Sequence, residues 1–546
     1  MKKLLLPVFI LMGLVGCQQT RPPADHVVII GVDGLSPDGI RMANTPAMDG
    51  LMQRGAFTLH ARAVMPSSSG ANWGSMIMGT GPEQHGVISN DWRTDNLVLP
   101  PTVVGDDNHF PTIFSVLRDQ RPDWHLAAFL HWNPIQNFIE EGVTDYMALP
   151  RSEEETTDEV LSYFQEHQPE FTFIHLDHVD GAGHRYGHGT APYYRSVEKA
   201  DSLIGEIIEA TRRNGMFERT VFILSSDHGG IGYGHGGNSL AEMEIPFLVS
   251  GSGTKPGHEL LMPVNVYDVP ATALFALGVD QPYEWTARPA KNAFQGNPDP
   301  QLRYHFNRFQ PAPAITPAGE GGFNPPGGLF IGESPTVSIQ NPSESGIIRY
   351  TTDGSQPVNT SDTYAGPFSL NETTVVKARL FENERPVSDE ITAYFRIPAD
   401  TTGRGLNYRI FEAEGISRLP DFNRLRPVAQ GVTMEISSNN LMLTRPDYVA
   451  AVLEGYIEIP QDGRYTFSLA SDDGSKLYIN RRLVIDNDGD HGVITVSNSL
   501  LLGAGRHPIR VEWFNGGGGY WLAAYIEGST LPRQIISPEM LYRRAN

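Results

Sequence analysis

Residues 220–237 read TVFILSSDHGGIGYGHGG. An apolar run, Val221 to Leu224, leads into Asp227-His228, and His235 follows among glycines. The run has the length of a buried strand, and the glycines mark where the chain leaves the sheet. Taken alone, the segment reads as a glycine-rich surface loop, and only partners elsewhere in the chain would make it part of a metal site. The choice depends on what the rest of the chain brings to it.

Two further segments repeat the pattern. HVVIIGVDG (26–34) and FTFIHLDHVDG (171–181) are apolar runs that end in Asp-bearing loops. Between the last two strands lies YRSVEKADSLIGEIIEATRRNG (194–215). Val197, Ala200, Ile204, Ile207, Ile208 and Thr211 share one helical face, Arg212 and Arg213 suit the last turn, and Gly215 suits the position after it. Strand, helix, strand predicts an α/β domain with a mainly parallel sheet. Ligands of such sheets bind beyond the carboxyl ends of the strands, which is where the three aspartates project.

Asp33, just past the first strand, reads as a metal ligand or a helix N-cap. Asp180 and His184 have D-x-x-x-H spacing, so one loop can present an oxygen and a nitrogen to the same cation. Residues 63–86, AVMPSSSGANWGSMIMGTGPEQHG, put a serine run before an apolar helical stretch. The run reads as a turn, yet Ser69 falls at or just before a helix N-terminus, whose free N–H groups favour an anion. Three carboxylates, three histidines and a serine are thus expected on one sheet edge. Oxygen and imidazole ligands suit zinc or a similar divalent ion.

The chain has 546 residues, enough for several domains. Its 41 Lys and Arg stand against 63 Asp and Glu, a formal charge of −22. That balance argues against binding to a nucleic-acid duplex, which needs a cationic surface, but leaves a small phosphate ester open. The N-terminus, MKKLLLPVFILMGLVGC, has a basic start and an apolar core too short to span a bilayer comfortably. Leu14 to Cys17 resembles a bacterial lipobox. The resemblance implies a signal peptide over 1–17, a lipid-modified Cys17 that anchors the protein to a membrane, and export to the outer membrane or cell surface. Cys17 is the only cysteine, so no intramolecular disulfide forms.

Composition shifts to Pro and Gly at PAPAITPAGEGGFNPPGG (311–328), and a linker is expected over 301–329. Beyond it the pattern is β. YTTDGSQP and TTVVKARLF resemble the chitobiase/β-hexosaminidase C-terminal domain, implying a β-sandwich over 330–397. The stretch VLEGYIEIPQDGRYTFSLASDDGSKLYINRRLVIDN, with GRHPIRVEWFNGGG, resembles the protective-antigen domain family, a lectin-like β-sandwich, over 405–546. Some members hold calcium and sugar through paired aspartates, here Asp472 and Asp473, which would make a polysaccharide a partner. Asp473-Gly474 reads equally as a hairpin turn.

Residues 25–300, through GVDG, the Ser69 segment, D-x-x-x-H and SSDHGG, resemble the alkaline phosphatase superfamily, and within it the type I phosphodiesterase/nucleotide pyrophosphatase branch. The resemblance implies two divalent ions, zinc by preference. Asp33, Asp227 and His228 would hold one, with Ser69 as nucleophile and ligand; Asp180, His184 and His235 would hold the other. Asn72, three residues after Ser69, would bond a phosphate oxygen. The branch usually has Thr where Ser69 stands, and its third histidine often comes later than His235, so Ser68 and His258 are the alternatives. His85 is read as structural, and His178 and His188 as supporting or surface residues.

The expected function is metal-dependent hydrolysis of phosphodiester or pyrophosphate bonds through a phosphoseryl intermediate, at the cell surface. An alkaline phosphomonoesterase is the alternative, and a glycan-binding surface lipoprotein with an inert hydrolase domain is a third reading. A sulfatase would need a Cys or Ser followed closely by Pro and Arg, and SSSGANW lacks both. The β modules are read as retention devices whose removal spares catalysis.

Overall fold

Three apolar runs that the sequence marks as strands lie side by side in the computed structural model, which describes residues 22–105, 107–304, 310, 312–317, 326–341 and 345–544. The signal segment and Cys17 lie outside the described residues. Among those described, no helix is long and apolar enough to cross a membrane.

The sheet has eight strands: β1 (His26–Val32), β2 (Gly55–Arg62), β3 (Leu126–Leu130), β4 (Tyr146–Ala148), β5 (Phe171–Leu176), β6 (Thr220–Ser225), β7 (Glu244–Gly251) and β8 (His258–Glu259). Their order is β4-β3-β5-β1-β6-β7-β2-β8. Five of them, β4 to β6 in that order, are parallel, while β7 runs against both β6 and β2. Val27 to Ile30 are fully buried, as a sheet covered on both faces requires. One face packs Trp73, Phe114 and Phe173, and the other packs Val28, Ile30, Val197 and Ile204.

The expected helix spans Ala191–Asn214, and all six residues of its apolar face are buried. Gly215 ends it in the left-handed region at φ 81°. Because β1 lies between β5 and β6, the ends of all three strands meet at the sheet centre. This is why Asp33, Asp180 and Asp227 converge.

The linker proves shorter than 301–329. Ala314–Thr316 pairs antiparallel with Thr336–Gln340, and Gly327–Leu329 pairs parallel with Ile391–Arg396. Proline-flanked segments are tolerated at sheet edges, and burial of Ile315 ties this one to the small β domain. That domain has two sheets around Val337, Ile339, Val376 and Phe395. The C-terminal domain is also two sheets, with a core of Leu453, Phe467, Trp513 and Ile526. Strands Gly463–Asp472 and Ser475–Ile479 belong to different sheets, so Asp473-Gly474 is a crossing between layers rather than a hairpin turn.

Candidate metal centre

Asp33 follows β1, Asp227 follows β6, and His228 is the next residue. Oxygen and nitrogen atoms of the three lie within 4.8 Å of one another, and all three side chains are buried. His228 Nε2 is 3.4 Å from Asp33 Oδ1 and 3.1 Å from Asp227 Oδ2. Asp33 is not a helix cap: its Oδ2 accepts from Trp73 Nε1 at 3.0 Å. Asp227 Oδ1 accepts from the Gly34 N–H, which ties the ends of β1 and β6 together.

The second group borders the first. His184 Nε2 is 3.2 Å from both Asp180 Oδ2 and His235 Nε2. The rings of His228 and His235 stack at 3.6 Å, and Asp180, His228 and His235 form a second cluster within 4.8 Å. The His184 side chain is 44% exposed whereas Asp33 and Asp227 are at most 2%, so the site opens on the His184 side. His258 pairs with Asp299 and is not part of either group.

Asp33 Oδ1, Asp180 Oδ1 and Asp227 Oδ2 are buried without a hydrogen-bond partner. Buried carboxylate oxygens are ordinarily satisfied by donors or by metal. Here they face imidazole nitrogens that share the same points of convergence, a donor set that fits divalent cations. The electrostatics agree. Burial, with Asp180 nearby, pushes Asp33 up to about 7. Burial and Asp33 raise Asp227 well above the carboxylate range. Asp180, although buried, is held well below that range by His184 and His235. In turn Asp180 raises His184 to about 9.

Ser69 is the first residue of helix Ser69–Met78, and its Oγ lies 3.3 Å from His228 Nε2. Ser68 is the N-cap and makes no side-chain cap bond. Asn72, expected to bond a phosphate oxygen, makes its bonds here to the backbone. Its Oδ1 accepts from Val64 N at 2.7 Å, and its amide donates to the Pro66 and Ser68 carbonyls. These bonds brace the loop before the helix. The nearby Asn90, which sequence reasoning missed, accepts from Gly70 N–H through Oδ1 at 2.8 Å. That bond ties Asn90 to the first turn of the Ser69 helix.

His85 is fully buried and bonded to Ser75 and Val87, as its structural reading requires. His188 proves to be a supporting residue, 3.9 Å from Asp180. Another missed residue is His175, buried on β5, whose Nε2 lies 3.3 Å from Asp33 Oδ2. It forms with Asp33 and Asp177 a third cluster of ligand-type atoms.

In the C-terminal domain the aspartate pair divides. Asp473 accepts from His491 N at 3.0 Å and Gly516 N at 2.7 Å, so both its oxygens serve the fold. Asp472 is half-buried, and burial with Asp473 beside it raises its pKa to about 7.

Residues 27–233 match the family model of type I phosphodiesterase/nucleotide pyrophosphatase. The α/β domain carries the match to that family. Residues 325–392 match the chitobiase/beta-hexosaminidase C-terminal domain, and residues 433–536 match the PA14 domain, the protective-antigen type. Bis(5'-adenosyl)-triphosphatase ENPP4 from Homo sapiens is 22% identical over 254 residues, covering 41% of this chain and 52% of that protein. Arylsulfatase K from Danio rerio is 33% identical over 94 residues, 16% of this chain and 18% of that protein. The chain thus spans about half the length, or less, of such curated relatives. Murine ectonucleotide pyrophosphatase/phosphodiesterase 5 is similar in structure at a TM-score of 0.41 and 15% identity, covering 47% of this chain and 95% of that one.

Proposed function

We propose that the α/β domain is a metal-dependent phosphoric ester hydrolase that cleaves phosphodiester or pyrophosphate bonds, with Ser69 as nucleophile. The observation that carries the reading is the position of Ser69 Oγ. It stands at a helix N-terminus, 3.3 Å from a histidine shared by two groups of ligand-type side chains.

Asp33, Asp227 and His228, with Ser69, would hold one divalent cation, and Asp180, His184 and His235 a second; zinc suits both sets. Such ions lower the pKa of a nearby hydroxyl and neutralise charge on a phosphoryl group. Ser69 Oγ attacks phosphorus, a phosphoseryl ester forms, and the leaving oxygen departs as the alcohol or phosphate. Water then cleaves that ester and restores the serine hydroxyl. The N–H groups of the first helical turn face the phosphoryl oxygens, and Asn90, anchored on Gly70, offers its amide donors beside them. Asp180 holds His184 in place through its carboxylate.

The reading includes export and attachment to the outer membrane or cell surface through lipid on Cys17. Failure of a Cys17→Ala variant to lose fatty-acid labelling would remove that part. Binding of calcium or polysaccharide by the C-terminal domain belongs to the same proposal, with Asp472 as the acidic side chain available for it.

The deciding experiment compares rates on bis-p-nitrophenyl phosphate and p-nitrophenyl phosphate, with Ser69→Ala as blank. Faster diester cleavage that vanishes in the variant is expected. Faster monoester cleavage would make the protein a phosphomonoesterase, and activity retained by Ser69→Ala would remove the nucleophile assignment.

A further inference from the structure

His184 is oriented from outside the cluster of ligand-type residues. Its Nδ1 donates to the Tyr233 carbonyl at 2.8 Å, leaving the Nε2 lone pair to join Asp180 and His235 in binding a cation. Tyr233 lies in a tight turn closed by reciprocal hydrogen bonds between Ile231 and Gly234 at 3.0 and 3.2 Å. The turn sits within GGIGYGHGG, six of whose nine residues are glycine, so its own backbone does little to hold that carbonyl still.

The turn is steadied by the other end of the chain. The Tyr233 ring stacks on Trp521 of the C-terminal sandwich at 5.9 Å and 25°. Both residues are only 4% exposed. Trp521 opens strand Trp521–Gly528, where it pairs with Asp472 and packs with Ala470 and Ala523. Contact continues on either side of the stacked pair. A Cβ at Gly519 would lie 3.3 Å from the His184 carbonyl oxygen and 3.4 Å from Asp472 Oδ2. A Cβ at Gly234 would lie 4.0 Å from the Val493 carbonyl oxygen.

We propose that Trp521 is a positioning residue of the hydrolytic site: by stacking on Tyr233 it fixes the carbonyl that orients His184. The C-terminal sandwich is then a working part of the metal site and not only a means of retention. The inference rests on the proposed role of His184 as a ligand, and it reverses the expectation that removing residues 405–546 spares catalysis.

The test uses the full chain with Trp521→Ala and Trp521→Phe. Zinc binding is measured by competition with a chromogenic chelator, and amide hydrogen exchange over residues 229–237 is followed in metal-free protein. In Trp521→Ala one ion binds as in the unmodified chain and the other about tenfold more weakly, the usual scale for losing an outer partner of a ligand. Exchange over 229–237 quickens, and kcat on bis-p-nitrophenyl phosphate falls with KM little changed and returns with excess zinc. Trp521→Phe, which keeps an aromatic face, restores most of the affinity.

Unchanged affinity for both ions together with unchanged exchange in Trp521→Ala overturns the proposal. If that variant unfolds the sandwich, Tyr233→Ala removes the same stack from the hydrolase side while keeping the carbonyl, and the same outcomes decide. A wild-type chain that takes up no zinc would defeat the functional reading, whereas the exchange measurement would still report on the Tyr233–Trp521 contact.

Discussion

His188 Nε2 stands 3.9 Å from Asp180 Oδ1, and its ring fills space that two glycines leave open. A Cβ at Gly183 would lie 2.3 Å from that nitrogen, and one at Gly230 would lie 2.2 Å from it. The glycines of DGAGH and DHGG therefore make room for a ring as well as allowing a turn. Burial lowers the His188 pKa to about 4, so the ring rests neutral behind the carboxylate.

Gly230→Ala should cost about 1–3 kcal/mol, the usual penalty for overpacking. Thermal melting measures the loss, and zinc retention shows whether Asp180 has moved. The double variant Gly230→Ala/His188→Ala should recover much of the melting temperature, because the obstructing ring is gone. Equal losses in the single and double variants would show that the ring is not the obstacle.

The two asparagines should separate stability from turnover. Asn72→Ala removes the side-chain bonds to the partly buried Val64 N–H and Pro66 carbonyl, each worth about 1–3 kcal/mol, and should lower the melting temperature by several degrees. Asn90→Ala should melt near the unmodified protein while kcat/KM on bis-p-nitrophenyl phosphate falls at least about tenfold, as expected when a charge-assisted donor is lost. The reverse pattern would restore Asn72 to the substrate.

Above about pH 6.5, where the buried histidines with lowered pKa are neutral in both states, stability of metal-free protein should fall as pH rises. Asp33 has its folded pKa raised to about 7, against about 3.9 when unfolded, so between those values the folded state holds more protons. His184 is raised to about 9, and its contribution, full below about 6.5, is lost as pH climbs through 9. Asp180 is depressed, so its contribution is lost only in strong acid. Bound metal competes with those protons and should oppose the trend. Melting curves at about pH 7, 8 and 9, with chelator and with zinc, test this above the ordinary histidine range. Chelated protein most stable at the alkaline end would refute it.

Asp473→Ala should destabilise the C-terminal sandwich by about 3 kcal/mol or more, since its carboxylate serves two backbone donors and such bonds contribute about 1.5–3 each. Asp472→Asn should leave the sandwich's melting nearly unchanged. Equal effects from the two would mean that the pair acts as one unit in the fold.

The strand-end aspartates were legible because the signal is local: an apolar run, then Asp. The long helix was legible through its periodicity and its Gly215 stop. Spacing from Ser69 says nothing about which backbone groups claim the Asn72 side chain. Asn90 reaches Gly70 through a loop that no periodicity describes, and His175 is one polar residue in a strand with no pattern of its own. The strands at 314–316 and 327–329 were hidden by Pro and Gly, because pairing there is decided by partners far along the chain. The Tyr233–Trp521 stack joins two domains and leaves no trace in either segment.

That stack also sets a timetable. Ser69, Asp180 and His235 all emerge early from the ribosome, but the partner of Tyr233 lies near the end of the chain. A nascent or truncated product can hold every ligand-type residue of the site and still lack the ring that steadies one of them. Maturity of the site is thereby linked to synthesis of the chain through Trp521, and a protease cut before Trp521 would act on the hydrolytic centre from a separate domain.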